Sequence, residues 1–363
     1  MAEGYHPYTW VLWLAAATLA TLSTRNPLYL VIILLAAGFV FAVLLRRDAG
    51  SAAGSAAAAR SSLWKPVVRL ALFLGLFTLL FNALTVHFGD RILFTLPAGW
   101  PVIGGPVTLE AVLYGVSTAL SFVALILVFT VFNSAVGTHN VLRMVPAFAY
   151  HAGVALTIAL SFIPQTLVAW QELREAQRLR GVRVRGLADV QPLMVSLLAI
   201  GLDRAIQLAE SMDARGFGGV VAPAPARERR LLSAGTVLAL LLLLAGLLLR
   251  TFRLDRGWGG LVLMAAGALV LAVVFRRQGR RIHRTHYRRW LWRQHDTLVA
   301  GGSAVLLVAL VAIGMVLPDA LFYYPYPPYP LIPSFQPLLG LLYAVILLPA
   351  LLLPPAPVLA PDA

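Results

Sequence analysis

The chain has 363 residues, of which 60% are hydrophobic and only 12% charged, with a mean hydropathy of +0.83 and a net charge of +14. A soluble domain carries about 25% charged residues, so a chain this apolar cannot clothe its surface in water-compatible groups, and its solvent is lipid. The positive charge is what arginine in cytoplasmic loops produces, not a soluble basic face for nucleic acid, and the absence of cysteine excludes disulfide frameworks, iron–sulfur clusters and thiolate metal sites.

The amino terminus, Met1-Ala-Glu-Gly-Tyr-His, lacks the basic stretch and small-residue cleavage site of a removable signal peptide, so the first apolar segment is expected to be retained. A lipid crossing needs about 20 apolar residues. Trp10–Leu22 and Leu28–Leu45 are two somewhat short candidates, joined around Arg25-Asn26-Pro27 as a tight hairpin. Asp48–Arg60, rich in Ala, Gly and Ser, reads as a flexible loop. Val67–His87 is a third span and Leu109–Phe132 a fourth, separated by a loop at Pro97–Pro106. The segment 141–164 holds only Ala152–Ile163 as clean apolar sequence, about half a span, and reads as a re-entrant or steeply tilted helix. Gln165–Arg230 carries ten arginines and is too polar to insert. Leu231–Leu249, Gly260–Phe275, Leu298–Leu317 and Pro337–Leu353 read as four more spans. Tyr323–Pro333, YYPYPPYPLIP, suits a stiff segment at a membrane interface.

Arginine sets the orientation. Arg46, Arg47, Arg60, Lys65 and Arg69 lie between the second and third spans, and Arg276, Arg277, Arg280, Arg281, Arg284, Arg288, Arg289 and Arg293 between the sixth and seventh. These stretches belong in the cytoplasm, with Asp90–Gly105 and Asp319–Pro333 outside. The fold class is an all-α polytopic membrane protein of about eight membrane segments with a cytoplasmic domain of long helices, organised as 1–164, 165–230 and 231–363.

The polar middle holds two long helices. One is expected from about Pro164 to Arg180, with Glu172 and Glu175 alternating with Arg174 and Arg178 and Gly181 past its end. The other is expected from about Gln191 to Arg215, with Leu193, Leu197, Leu198, Ile200, Leu202, Ile206 and Leu208 on a broad apolar face, Asp203, Arg204, Glu210 and Asp213 on the polar side, and Gly216, Gly218 and Gly219 ending it. Each helix terminates in Arg-Gly: Leu179-Arg180-Gly181 and Ala214-Arg215-Gly216. A terminal arginine is stabilised by the exposed carbonyls of the helix end and can project forward into a partner's acidic groove, while glycine lets the chain turn without obstructing close approach. One such end is ordinary capping; two, 35 residues apart on one cytoplasmic segment, suit a partner with two equivalent sockets.

From the N-terminal HPYTW…NPLYL to Gly218, and most specifically in SFIPQTL…EAQRLRG and AESMDARGFG, the chain resembles the transmembrane T component of energy-coupling-factor (ECF) transporters, the EcfT/CbiQ family. The resemblance implies a non-catalytic, multi-pass subunit of a prokaryotic cell membrane. It would couple two ATP-binding-cassette ATPases to a substrate-binding membrane subunit for vitamin or transition-metal ion uptake. In that family two Ala-Arg-Gly motifs dock their arginines into the ATPases, which places the ATPase-coupling residues at Arg180 and Gly181 and at Ala214, Arg215 and Gly216. Leu179 stands where the first motif would have Ala. The resemblance leaves the C-terminal spans unexplained and calls for no cofactor.

The ATPase is expected in other chains on independent grounds, since a P-loop needs Gly-Lys-Ser/Thr and the single lysine, Lys65, lies between Trp64 and Pro66. His283 and His286, with His295 nearby, have a spacing that could bind metal, but eight surrounding arginines and no carboxylate before Asp296 favour a solvated or headgroup-binding loop. Asn82, His87, Asn133 and His151 are scattered and favour interhelical hydrogen bonding over a polar pathway. Two other readings stay open. Glu175-Ala176-Gln177-Arg178-Leu179-Arg180-Gly181 also resembles the Glu-Ala-Ala-x-x-x-Gly loop of conventional ABC importer permeases, which have one such loop per chain. A membrane-embedded lipid-modifying enzyme would need Asp-rich or His-rich motifs at span ends, and no such motif or nucleophile–base arrangement stands out.

Overall fold

A computed structural model describes residues 5–49, 54–97, 104–137, 141, 144, 149–181, 187–217, 225–252, 258–279 and 292–352. His283, His286, Gly218, Gly219 and the basic loop from Arg280 to Arg289 lie outside the described residues. The chain divides into two units, one of residues 1–141 with 288–363 and one of residues 142–287.

In the first unit, α1 (Pro7–Ser23) begins where Pro7 presets the backbone and the His6 ring accepts the Tyr8 N–H at 3.3 Å. Thr24 and Asn26 then make the expected tight link. The Thr24 hydroxyl accepts the Asn26 N–H, the Asn26 amide oxygen accepts the Leu28 N–H, and α2 (Pro27–Ala49) starts on another proline. The next helix, α3 (Gly54–Thr85), begins well before the expected span. The stretch read as a flexible loop is helical from Gly54 to Arg60 because its alanines, the strongest helix formers, outweigh one glycine. Pro66 sits inside it.

A short antiparallel pair, β1 (Ile92–Thr95) and β2 (Pro106–Thr108), flanks the loop expected at Pro97–Pro106. It leads into α4 (Leu109–Val136), whose N-cap is Thr108. The buried carboxylate of Glu110, in the first turn, accepts the Arg91 N–H at 3.3 and 3.4 Å and pins the hairpin to the helix. Gly89 passes directly over that carboxylate at φ +141°. A β-carbon there would lie 2.6 Å from Glu110 Oε2, so both conformation and space demand glycine. Asn82, expected to bridge helices, instead donates to the Thr78 carbonyl of its own helix.

The same unit contains α9 (Gln294–Val316), α10 (Pro318–Leu321), α11 (Pro337–Ala344), a 3₁₀ turn at Val345–Leu347 and α12 (Leu348–Leu351). The expected last span is therefore a short, broken helix. Pro349 cannot donate to the carbonyl of Val345 four residues back, and the backbone tightens into the 3₁₀ turn there. These late segments are bonded to the earliest ones. The Trp13 indole N–H donates to the Ile346 carbonyl at 3.0 Å and the Tyr5 hydroxyl to the Pro349 carbonyl at 2.9 Å. The Thr24 hydroxyl donates to Leu321, the Asn26 amide to Ser334, and the Gln336 N–H to the Tyr29 hydroxyl. The tyrosine–proline segment folds back on the start of α4, with the Tyr326 ring against Tyr114, Tyr324 and Phe88.

The second unit holds α5 (Tyr150–Leu179), α6 (Leu187–Ala214), α7 (Ala226–Thr251) and α8 (Gly259–Gly279). The last two form a close antiparallel hairpin: a β-carbon on Gly246 would meet the Gly260 carbonyl oxygen at 2.6 Å. Among the described residues eight helices are long and apolar enough to cross a membrane, namely α2 to α9, whereas α1, at 17 residues, and Pro337–Leu351 are shorter. The chain is an all-α multi-pass membrane protein, with one small β-hairpin among the described residues. Ala152–Leu179 of α5 and Val190–Ala214 of α6 satisfy the criterion too, although the sequence reading gives most of their length to the cytoplasm.

Candidate functional site

The five expected site residues are all described and lie at the C-terminal ends of α5 and α6. Helix α5 does not begin at Pro164, as the sequence reading expects, but runs through it from Tyr150 without interruption. A proline inside a helix removes one backbone donor, and the serine and threonine hydroxyls around it bond back to the helix: Ser161 to the Ile158 carbonyl and Thr166 to Phe162. Helix α6 likewise begins at Leu187 and carries Pro192 internally.

At the end of α5 the Arg180 N–H bonds the Ala176 carbonyl at 3.2 Å and the Gly181 N–H bonds Arg178 at 3.0 Å. Gly181 adopts φ +81°. At the end of α6 the Gly216 N–H bonds Asp213 at 2.8 Å and the Phe217 N–H reaches back to Met212 at 2.9 Å, the paired closure of a Schellman motif, with Gly216 at φ +72°. Nothing lies within 4 Å of where a β-carbon would sit on either glycine. The demand for glycine is therefore set by the left-handed backbone, not by crowding. Arg180, Gly181, Ala214, Arg215 and Gly216 are exposed, and Leu179 is 90% exposed, so its side chain contributes almost nothing to this chain's own packing.

The two ends are not side by side. Tyr150, which opens α5, lies against Phe217 just beyond α6, with ring centroids 6.4 Å apart. Midway along both helices, Arg204 Nη1 donates to the Gln165 carbonyl at 3.4 Å. The helices are thus antiparallel in sense and the arginine tips point to opposite ends of the pair. Leu179 lies 14 residues beyond Gln165 and Ala214 lies 10 beyond Arg204. At about 1.5 Å per residue the tips are separated by roughly 36 Å along the helix axes.

The sequence profile of the CbiQ family, described as cobalt transport protein, matches residues 5–226. The chain belongs to this family. The CbiQ match runs from the N-terminal motif through both arginine tips and stops where α7 begins. Among curated relatives, the energy-coupling factor transporter transmembrane protein EcfT of Leuconostoc gelidum subsp. gasicomitatum is 27% identical over 175 residues, 43% of this chain and 60% of that protein. EcfT 1 of Listeria monocytogenes serotype 1/2a is 30% identical over 176 residues, again 43% and 60%. EcfT of Exiguobacterium sibiricum is 31% identical over 113 residues, 30% of this chain and 43% of that protein. The chain thus spans at most 60% of the length of these curated relatives.

Within this CbiQ-family chain Arg204, which the sequence places on the polar side of α6, is half-buried and reaches α5 beside a small cleft lined by Phe162, Thr166, Ala169, Leu197, Ile200 and Gly201. An arginine among Leu202, Ala205 and Ile206 was the available signal, but its partner is a backbone carbonyl 39 residues away, which no local pattern reveals. Among the described residues no cluster of three or more His, Asp or Glu side chains is placed to hold a metal ion; His295 is described, His283 and His286 are not.

Proposed function

We propose that the chain is the transmembrane coupling subunit of an ECF-type importer. It transmits the ATP-driven motion of two ABC-type ATPase subunits to a substrate-binding integral membrane subunit that takes up a vitamin or a transition-metal ion. The observation that carries this reading is the pair of Arg-Gly helix ends. Both arginines are exposed, both glycines hold the left-handed turn that leaves the tip unobstructed, and the two ends face opposite ways on one antiparallel pair. Two ATPase protomers side by side present two equivalent sockets, and an antiparallel pair offers one tip to each. A single coupling loop, as in a conventional permease, would leave the Arg215 end without a purpose. On this reading α5 and α6 lie together on the cytoplasmic side, since the Arg215 end of α6 packs against Tyr150 at the start of α5, and the lone Lys65 leaves nucleotide hydrolysis to the partners.

The work of such a subunit is mechanical. The guanidinium at each tip offers a planar fork of donors to a carboxylate or carbonyl in the partner groove. The negative end of the helix behind it keeps the arginine extended along the axis. Closure of the ATPases moves the tips, and the helices carry that motion to the membrane spans.

The test is co-purification with a candidate ATPase pair, comparing wild type with Arg180→Glu, Arg215→Glu and the double variant. Each charge reversal should weaken retention and the double variant should lose both ATPases while remaining folded in membranes. A double variant that holds both ATPases normally would refute the docking assignment.

A further inference from the structure

We propose that Arg204 is a positioning residue that sets the spread between the Arg180 and Arg215 tips. The inference rests on the coupling function above and adds to it the element that fixes the geometry of the two tips.

Helix α5 is built to bend at one place. Pro164 leaves the Leu160 carbonyl without its usual backbone donor, and the hydroxyls of Thr157, Ser161 and Thr166 all bond back to carbonyls in the preceding turn. Each of these features loosens a helix locally, and together they concentrate pliancy between residues 157 and 166. One residue past the proline, the Gln165 carbonyl accepts an exposed hydrogen bond from Arg204 Nη1 of α6 at 3.4 Å.

Apolar packing does little to hold the two helices together. Among the described residues of α5 and α6 only Ala169 and Leu193 are buried apolar side chains, while Leu167, Val168, Leu198, Leu202 and Ile206 are exposed. A contact this thin allows the helices to rotate about the crossing, so a polar tether there has leverage over the angle. The Tyr150–Phe217 contact lies on the other side of Pro164. The N-terminal half of α5 is thereby tied to the Arg215 end, and Arg204 ties the C-terminal half, which carries Arg180, to the middle of α6. That half is about 21 Å long, so a bend of about 10° at the proline displaces its tip by roughly 4 Å. Displacements of this size separate a seated arginine from an empty socket.

The chain contains no cysteine, so spin labels can be placed cleanly at Arg178→Cys and Glu210→Cys, both exposed and next to the tips. In the full chain in lipid nanodiscs without partners, Arg204→Met should broaden or shift the label-to-label distance distribution. Arg204→Lys, which can still donate to the Gln165 carbonyl, should keep that of wild type. An unchanged distribution in Arg204→Met overturns the tether; if Met is poorly folded, Arg204→Gln, too short to reach, serves the same comparison. With the ATPase pair bound, Mg-ATP and vanadate should shift the distance in wild type and Arg204→Lys. The same treatment should fail to shift it in Arg204→Met, in which ATP hydrolysis continues. The same nucleotide-driven shift in Arg204→Met overturns the positioning role. Failure of the docking assignment shows separately, in the charge-reversal co-purification, because the partner-free distances read the tether alone.

Discussion

The Thr9 hydroxyl donates to Asp296 Oδ1 at 3.1 Å, joining α1 to the first turn of α9 across 287 residues of sequence. The same oxygen takes the His6 N–H at 2.6 Å, and Oδ2 takes the Arg293 N–H at 3.0 Å. Asp296 is 3% exposed, so its removal strands three donors, two of them backbone, in a site with little access to water. Asp296→Ala should cost about 3–5 kcal/mol of stability, in the range for breaking a buried charged network. Asp296→Asn, which keeps one acceptor oxygen, should cost less than half of that. Thermal unfolding in detergent, followed by loss of monodisperse protein, ranks the two; equal losses would show that the carboxylate is not the anchor.

Among the glycines with positive φ, Gly181, Gly216 and Gly89 differ in surroundings, and that difference predicts their substitution costs. Gly181 and Gly216 stand in open space, so alanine there pays only the left-handed backbone, about 1–2 kcal/mol, and asparagine less. Gly89 also faces the Glu110 carboxylate at contact distance, so Gly89→Ala should cost about 3 kcal/mol or more. Amide hydrogen exchange would show fraying confined to the last turn of α5 or α6 in the first two variants, and release of the β-hairpin in the third.

Leu179 stands where the resemblance implies an alanine, and it is almost fully exposed. Leu179→Ala should therefore leave the thermal stability of the isolated chain within about 0.5 kcal/mol of wild type. If the first socket has adapted to the larger side chain, the loss of a buried leucine on docking should weaken ATPase binding by about tenfold, equivalent to roughly 1.4 kcal/mol. Titration of the ATPase pair onto immobilised chain measures this; unchanged affinity would place the leucine outside the contact.

Trp13 is 1% exposed, and its indole N–H is bonded to a carbonyl exposed by the 3₁₀ turn of the last helix. Trp13→Phe removes the donor and leaves a small void, and should destabilise the chain by about 2–3 kcal/mol. Limited proteolysis should then cut first near residues 345–352, and protection equal to wild type there would argue against the bond as the latch.

What local pattern encodes was legible in the sequence: the long apolar runs, the tight Arg25-Asn26-Pro27 link, and above all the two Arg-Gly helix ends, whose glycines do adopt the left-handed turn. What depends on a distant partner was not. Pro164 reads locally as a helix start, because proline is favoured in a first helical turn and nothing in its neighbourhood announces that the helix continues through it from Tyr150. The β-hairpin owes its place to Glu110, a carboxylate that in sequence is merely a favourable first-turn residue. Arg204 reads as a solvated charge until the antiparallel partner is in place, and the apolar C-terminal runs give no hint that their carbonyls serve Tyr5, Trp13 and Thr24.

The bonds from Tyr5, Trp13 and Thr24 to late carbonyls also impose an order on biosynthesis. Trp13 leaves the ribosome 333 residues before Ile346, an interval on the order of half a minute at ordinary elongation rates. Throughout that interval the first helix carries donors whose acceptors do not yet exist, and it must shelter at the translocon, in a chaperone or at the wet edge of the bilayer. Completion of the last short helix is then the event that seals the first.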